Sequence, residues 1–214
     1  MDEADVARRL AQLRDVLAAG ATRGPVAICA VTKGFGADAV RIAARLGCDA
    51  VGENYAQEAI AKLAAVEGVR PPVHFIGRLQ SNKVKSLAGV VDVWQSVDRE
   101  ALVDEIAKRA PSAGIYVQVN ATGESDKGGC DTTVAPQLVR RATENGLAVL
   151  GLMTVGPTDL DLARTRSAFG TVRRLADDLG LPGCSMGMSD DLRIALEEGS
   201  TMVRIGTALF GPRA

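Results

Sequence analysis

The sequence of 214 residues predicts an α/β fold, a single (β/α)8 barrel with an extra helix at its N-terminus. Short apolar runs alternate with longer amphipathic stretches, giving eight strand-like segments, each separated from the next by a helical one. Parallel neighbours need such crossovers, so the pattern reads as βα units. No G-x-G-x-x-G follows the first strand, which counts against an open, doubly wound sheet. The length is at the compact end for an eight-unit barrel. No linker, repeat or low-complexity segment interrupts the chain, so residues 1–214 are expected to be one domain.

In order, the opening helix covers 3–19, with Val6, Leu10, Leu13 and Leu17 on one stripe. A β-branched run at 26–31 is ended by Thr32-Lys33-Gly34. A helix at 37–46 leads to a short strand at 49–51, and a helix at 54–66 to a strand at 73–76. Next come a helix at 79–88, a strand at 91–95, a helix at 99–109 and a strand at 115–120. The series closes with a helix at 132–144, strand 149–153, helix 159–179, strand 184–188, helix 190–198 and strand 202–209.

Hydrophobic residues make up 47% of the chain, which excludes disorder, and aromatics only 3%, so Ala, Val, Leu and Ile must fill the core. The formal net charge of −1 argues against nucleic acid or an anionic membrane as partner. No apolar run approaches the ~20 residues of a membrane span, and the charged, amphipathic start is unlike a signal peptide. A cytoplasmic protein is expected. The single histidine, His74, excludes multi-His metal sites and reads as a satisfied core residue. Cys29, Cys48, Cys130 and Cys184 form no C-x-x-C and read as small hydrophobes, so neither a metal nor a disulfide framework is expected.

In a barrel, functional groups belong at the C-terminal strand ends and the loops beyond them. Six apolar residues lead into Thr32-Lys33, which projects the lysine amine towards a partly desolvated mouth. Burial disfavours the ammonium form and makes an amine nucleophilic towards carbonyls; a solvated strand-end lysine is the equally weighted alternative. Ser189 is placed as the N-cap of the helix at 190–198, with Asp190 and Asp191 in its first turn. Gly206 and Thr207 follow the eighth strand, where barrels often bind phosphate. Arg204 lies in an otherwise apolar strand and shares the face of Gly206 by two-residue alternation, so it needs a partner. Closure sets the eighth strand beside the first. A lysine, an arginine and a phosphate cradle on adjacent strands suggest pyridoxal 5′-phosphate, with Lys33 forming the aldimine. Arg140-Arg141 and Arg173-Arg174 read as exposed helix faces, and Asn54 as facing the mouth or capping the next helix.

The chain also carries, in order, Ala30-Val-Thr-Lys33, Gly52-Glu-Asn-Tyr-Ala-Gln-Glu58, His74-Phe-Ile-Gly-Arg-Leu-Gln-Ser-Asn-Lys83 and Gly151-Leu-Met153. Met186-Gly-Met-Ser-Asp-Asp191, Gly199-Ser-Thr-Met-Val-Arg-Ile-Gly-Thr207 and Phe210-Gly211 complete the set. At these residues it resembles the pyridoxal phosphate homeostasis protein family. The resemblance implies a TIM-type barrel like the N-terminal domain of alanine racemase, with pyridoxal 5′-phosphate held as a lysine aldimine. It implies Lys33 as the Schiff-base lysine, and Ser189, Gly206 and Thr207 as phosphate-holding residues. Arg204 matches the arginine at the pyridine nitrogen, and Asn54 the pocket asparagine. The chain departs from many relatives at Gly34-Phe-Gly36, which replaces a proline-containing turn, and in the loop around Ser125-Asp-Lys127.

Two functions follow. One is a carrier that holds and delivers or buffers the cofactor without obligatory catalysis, as a monomer in transient contact with apo-enzymes. The other is a pyridoxal phosphate-dependent amino-acid racemase. The first is favoured, because racemization needs a second acid/base group on the opposite face and only Tyr55 and Tyr116 supply tyrosines. In racemases of similar build that tyrosine comes from a β-domain, which here would have to follow residue 214. A phosphosugar-binding barrel enzyme would share the phosphate site without the aldimine.

Overall fold

The computed structural model describes residues 1–212. Helix α1 (Glu3–Gly20) starts where Asp2 accepts the Ala4 N–H at 2.9 Å, and Glu3 and Asp5 in its first turn suit the positive end of the helix dipole. Its buried stripe, Val6, Leu10 and Leu17, packs across α8 (Leu192–Glu197) and α9 (Thr207–Phe210).

The βα series is β1 (Ala27–Val31), α2 (Ala37–Arg45), β2 (Ala50–Glu53), α3 (Ala56–Ala64), β3 (Val73–Phe75) and α4 (Ser81–Leu87). It continues through β4 (Val93–Val97), α5 (Glu100–Arg109), β5 (Gly114–Gln118), α6 (Ala135–Glu144) and β6 (Ala148–Met153). It ends with α7 (Leu162–Asp178), β7 (Gly183–Ser185), α8 and β8 (Met202–Ile205). The eight strands close in sequence order, all parallel. β8 returns to β1 with Ala27 opposite Met202 and Cys29 opposite Arg204. The barrel and its extra helix stand as expected.

Strand 8 is shorter than its apolar run. The run 202–209 reads as one strand, yet β8 ends at Ile205. Gly206 leaves the extended region (φ −112°, ψ −91°), and its carbonyl accepts from Leu209 and Phe210 N–H, each at 2.9 Å, so the chain turns into α9. Leu209 and Phe210 are buried by that turn, a placement that hydrophobicity alone does not distinguish from a strand. The helix expected from 159 begins at Leu162, after Asp161 caps it by accepting the Arg164 N–H.

The main core lies between the barrel wall and the helices, where Trp94, Phe169, Leu102 and Ile106 are fully buried. Inside the barrel a small apolar cluster of Cys29, Ala50 and Met202 lies within hydrogen-bond reach of a polar ladder, through the contact of Gln95 Nε2 with the Met202 sulfur. Arg173 is a correction to the expected exposed face: it is buried, donating to the Leu181 and Pro182 carbonyls and pairing with Asp177. All four thiols are free and buried, and burial pushes Cys29 and Cys130 up to about 12. No helix among the described residues is long and apolar enough to cross a membrane.

Candidate functional site

Above the ends of β1 and β8 opens a pocket of about 530 Å³, within the range that holds small ligands. Lys33, Ser189, Arg204, Gly206 and Thr207 all line it, as does Asp190.

Lys33 is carried by a turn. The Phe35 N–H donates to the Thr32 carbonyl at 3.0 Å, and Gly34 takes φ +74° at the third position, a conformation that strains any L side chain. Phe35 rests against Phe210, with ring centroids 5.3 Å apart, so the Gly34-Phe-Gly36 segment ties this loop to α9. Lys33 itself is half-buried.

Arg204 sits inside the barrel, 5% exposed. Its Nη1 donates to the Ser185 carbonyl (2.7 Å) and Oγ (2.8 Å), and its Nη2 to the Thr154 carbonyl (2.8 Å). These bonds use three of its five N–H donors, and the residue also lines the pocket. The partner that a buried arginine requires is thus a set of neutral oxygens. Burial lowers its pKa, with the Asp191 charge among the opposing influences.

The ladder continues away from the mouth. Ser185 Oγ donates to Gln95 Oε1 at 2.7 Å, and Gln95 Nε2 donates to His74 Nδ1 at 2.6 Å. His74 is the satisfied core residue anticipated; burial lowers its pKa to about 4, so it is neutral at pH 7.

Ser189 does not cap α8. That place falls to Asp191, and Ser189 is an exposed loop residue facing the pocket. Asp191 is buried, and its Oδ1 accepts the Met188 N–H at 2.5 Å, which turns this carboxylate into its own loop. Gly187 allows the loop to form: φ is +100°, and a Cβ there would lie 2.5 Å from Ala195 Cβ. Thr207 and Ala208 open α9, so their N–H groups have no partner within that helix.

Asn54 is not among the pocket's lining residues. It lines a neighbouring hollow of about 280 Å³ with Gln57, Gln80 and Lys83. Tyr55 sits at the N-cap position of α3 and borders that hollow, 59% exposed. Tyr116 is buried inside the barrel, where the space over Gly183 receives its ring, and burial raises its pKa to about 12.

Several polar residues were missed by sequence reasoning. Ser185 and Gln95 carry no local signal beyond polarity within apolar strands. Glu53, Glu58 and Lys62 do leave one: a Glu–Lys pair four apart on α3, after a carboxylate that ends an apolar strand. The loop around Lys127 is also tied down. Lys127 pairs with Glu124 at 2.5 Å and donates to the Gly156 carbonyl, and the lysine beside it holds the Glu124 carboxyl down to about 2. A second hollow, about 480 Å³, lies at the opposite barrel face, but Arg14 is spent there on the Leu46 and Gly47 carbonyls and Asp49 on the Ile28 N–H.

The donor set of the pocket above β1 and β8 matches a phosphorylated aldehyde: an amine, two hydroxyls, a helical turn's N–H groups and a guanidinium. Comparison with known proteins agrees in kind. The profile of the family described as alanine racemase, N-terminal domain, matches residues 2–214. The chain is 39% identical over 217 residues to the pyridoxal phosphate homeostasis protein of Pseudomonas aeruginosa, covering 98% of this chain and 94% of that one. To the protein of the same description from Aquifex aeolicus it is 43% identical, over 78% of each chain. The structure of PipY of Synechococcus elongatus with PLP bound superposes with a TM-score of 0.84 at 33% identity, covering 96% of this chain and all of that one. The chain therefore belongs to the alanine racemase N-terminal domain family and, within it, to the pyridoxal phosphate homeostasis proteins.

Proposed function

We propose that residues 1–214 act as one pyridoxal 5′-phosphate-binding unit that takes part in cofactor homeostasis, storing and handing on the cofactor with no obligatory turnover of an amino acid. The observation that carries this reading is the convergence of Lys33, Arg204, Ser189, Gly206 and Thr207 on one pocket. When bound, the cofactor would supply a reactive aldehyde, and Lys33, whose amine lines the pocket, would hold it covalently. Ser189, Thr207 and the first N–H groups of α9 would hold its phosphate, and Gly206 would let it approach the backbone. Arg204 would be the donor nearest the ring; a guanidinium that keeps its own proton would leave a ring nitrogen unprotonated and weaken the electron sink that carbanion chemistry uses. Asn54 lines the neighbouring hollow and not this pocket, so it is assigned to the rim.

The racemase reading needs a second proton-transferring side chain facing the ring. Tyr116 is buried with a pKa of about 12, and Tyr55 borders the other hollow, which favours the carrier.

Borohydride reduction of the cofactor-loaded protein followed by peptide mass spectrometry tests the anchor. Label is expected on Lys33, and Lys33→Ala should lose it while remaining folded. An undiminished adduct in that variant would overturn the assignment. For turnover, Cα proton exchange of L-alanine or L-serine in deuterated water should stay well below about 1 per second; faster exchange abolished by Tyr55→Phe would restore the racemase reading.

A further inference from the structure

Three ionisable side chains lie beneath the turn that carries Lys33. Lys62 of α3 is buried, and its Nζ donates to the Thr32 carbonyl (2.6 Å), Glu53 Oε1 (2.7 Å) and Glu58 Oε1 (2.9 Å). That uses all three of its donors. Glu53, fully buried at the end of β2, also accepts from Thr32 Oγ1 at 2.5 Å. Glu58 Oε1 accepts the Gly34 N–H at 2.6 Å. The residue before Lys33 is therefore held at its carbonyl and its hydroxyl, and the residue after it at its N–H.

Buried ion groups are a poor route to stability, since apolar side chains of similar volume often serve as well. This cluster even leaves Glu53 Oε2 buried without a partner, a cost the fold bears. What the charges do that apolar groups cannot is direct hydrogen bonds at a turn whose Gly34 and Gly36 are exposed and contribute no side-chain packing. A nucleophile displaced by about 1 Å can react some hundredfold more slowly, so fixing its carrier has a kinetic purpose.

We propose that Glu53, Glu58 and Lys62 form a clamp that fixes the Thr32–Phe35 turn and so aims the Lys33 amine into the pocket, making them positioning residues for its condensation with an aldehyde. The proposal rests on the reading of Lys33 as the covalent anchor. Glu58→Ala is the informative variant, because Lys62 keeps Glu53 and Thr32 while Gly34 loses its acceptor; Glu58→Gln returns an acceptor. Hydrogen exchange at the Gly34 amide should quicken at least about tenfold in Glu58→Ala and recover largely in Glu58→Gln. Stopped-flow absorbance with pyridoxal 5′-phosphate should show adduct formation slowed by a similar factor and rescued in the same way. Binding of pyridoxine 5′-phosphate, which lacks the aldehyde, should be unchanged in both variants.

Adduct formation at the unaltered rate in Glu58→Ala would overturn the positioning role, and unchanged Gly34 exchange would overturn the clamp. Equal weakening towards pyridoxine 5′-phosphate would also refute it, since a general loss of the pocket is then the cause. If the unaltered protein forms no reducible adduct on Lys33, the anchor reading fails, and Gly34 exchange still decides whether the clamp exists.

Discussion

Acidification from pH 7 to pH 5 is expected to weaken the fold through one side chain, His74. The ring is 5% exposed, and its Nδ1 accepts from Gln95, so the ring proton sits on Nε2. Burial holds its pKa at about 4, opposed only by the Asp92 charge, against an ordinary value of 6.5. The folded state thus binds fewer protons than the unfolded chain between these values. Its stabilising effect is complete above pH 6.5 and is lost as pH falls towards 4. A pKa difference of this size corresponds to about 3 kcal/mol in full, of which about 2 kcal/mol disappears between pH 7 and pH 5. Urea denaturation at the two pH values, on the unaltered chain and on His74→Gln, isolates this contribution from the carboxylates. His74 is the only histidine, so its imidazole resonance is assigned without ambiguity and should not titrate above pH 5. A midpoint near 6.5, or an equal loss of stability in both proteins, would refute the argument that the ladder holds a neutral ring.

Ser185→Ala should cost about 1–3 kcal/mol, because it strands the buried Gln95 Oε1 and removes one of the three bonds on Arg204; denaturant midpoints with an unchanged m-value check it. The same variant should bind pyridoxal 5′-phosphate several-fold more weakly while still forming the Lys33 adduct. Ser189→Ala and Thr207→Val should each weaken pyridoxal 5′-phosphate binding about tenfold or more and leave unphosphorylated pyridoxal nearly unaffected; equal weakening of both ligands in titration calorimetry removes these side chains from the phosphate. Gly187→Ala combines a left-handed backbone with a 2.5 Å approach to Ala195, so a loss of about 2–4 kcal/mol is expected by thermal or denaturant unfolding, with weaker ligand binding as the 188–190 rim shifts.

Much of this molecule is written in local pattern. The alternation of apolar runs and amphipathic stretches specifies eight βα units, because each helix or strand must bury a face of its own period. Lys33 is legible at the end of an apolar strand, and Arg204 is conspicuous as the one charge in another. Closure then sets Cys29 opposite Arg204, which brings the two strands' ends to one pocket. The end of β8 was not legible, since a run of apolar residues is equally content in a strand or in the buried turn of α9.

Only the tertiary structure decided which polar groups satisfy one another. Arg204 meets a carbonyl 50 residues away, and Ser185 meets an amide 90 residues away. The clamp under Lys33 draws on residues 21 to 30 positions along the chain. Ser189 is displaced from its helix cap by a carboxylate that the loop geometry buries, and Arg173 leaves its expected solvated face for two carbonyls beyond the helix end. The physical reason is the same in each case. Periodicity reports which face of an element is withdrawn from water, a property of neighbours in sequence, whereas a buried polar atom is stable only where a partner arrives from elsewhere, and barrel closure alone sets those distances.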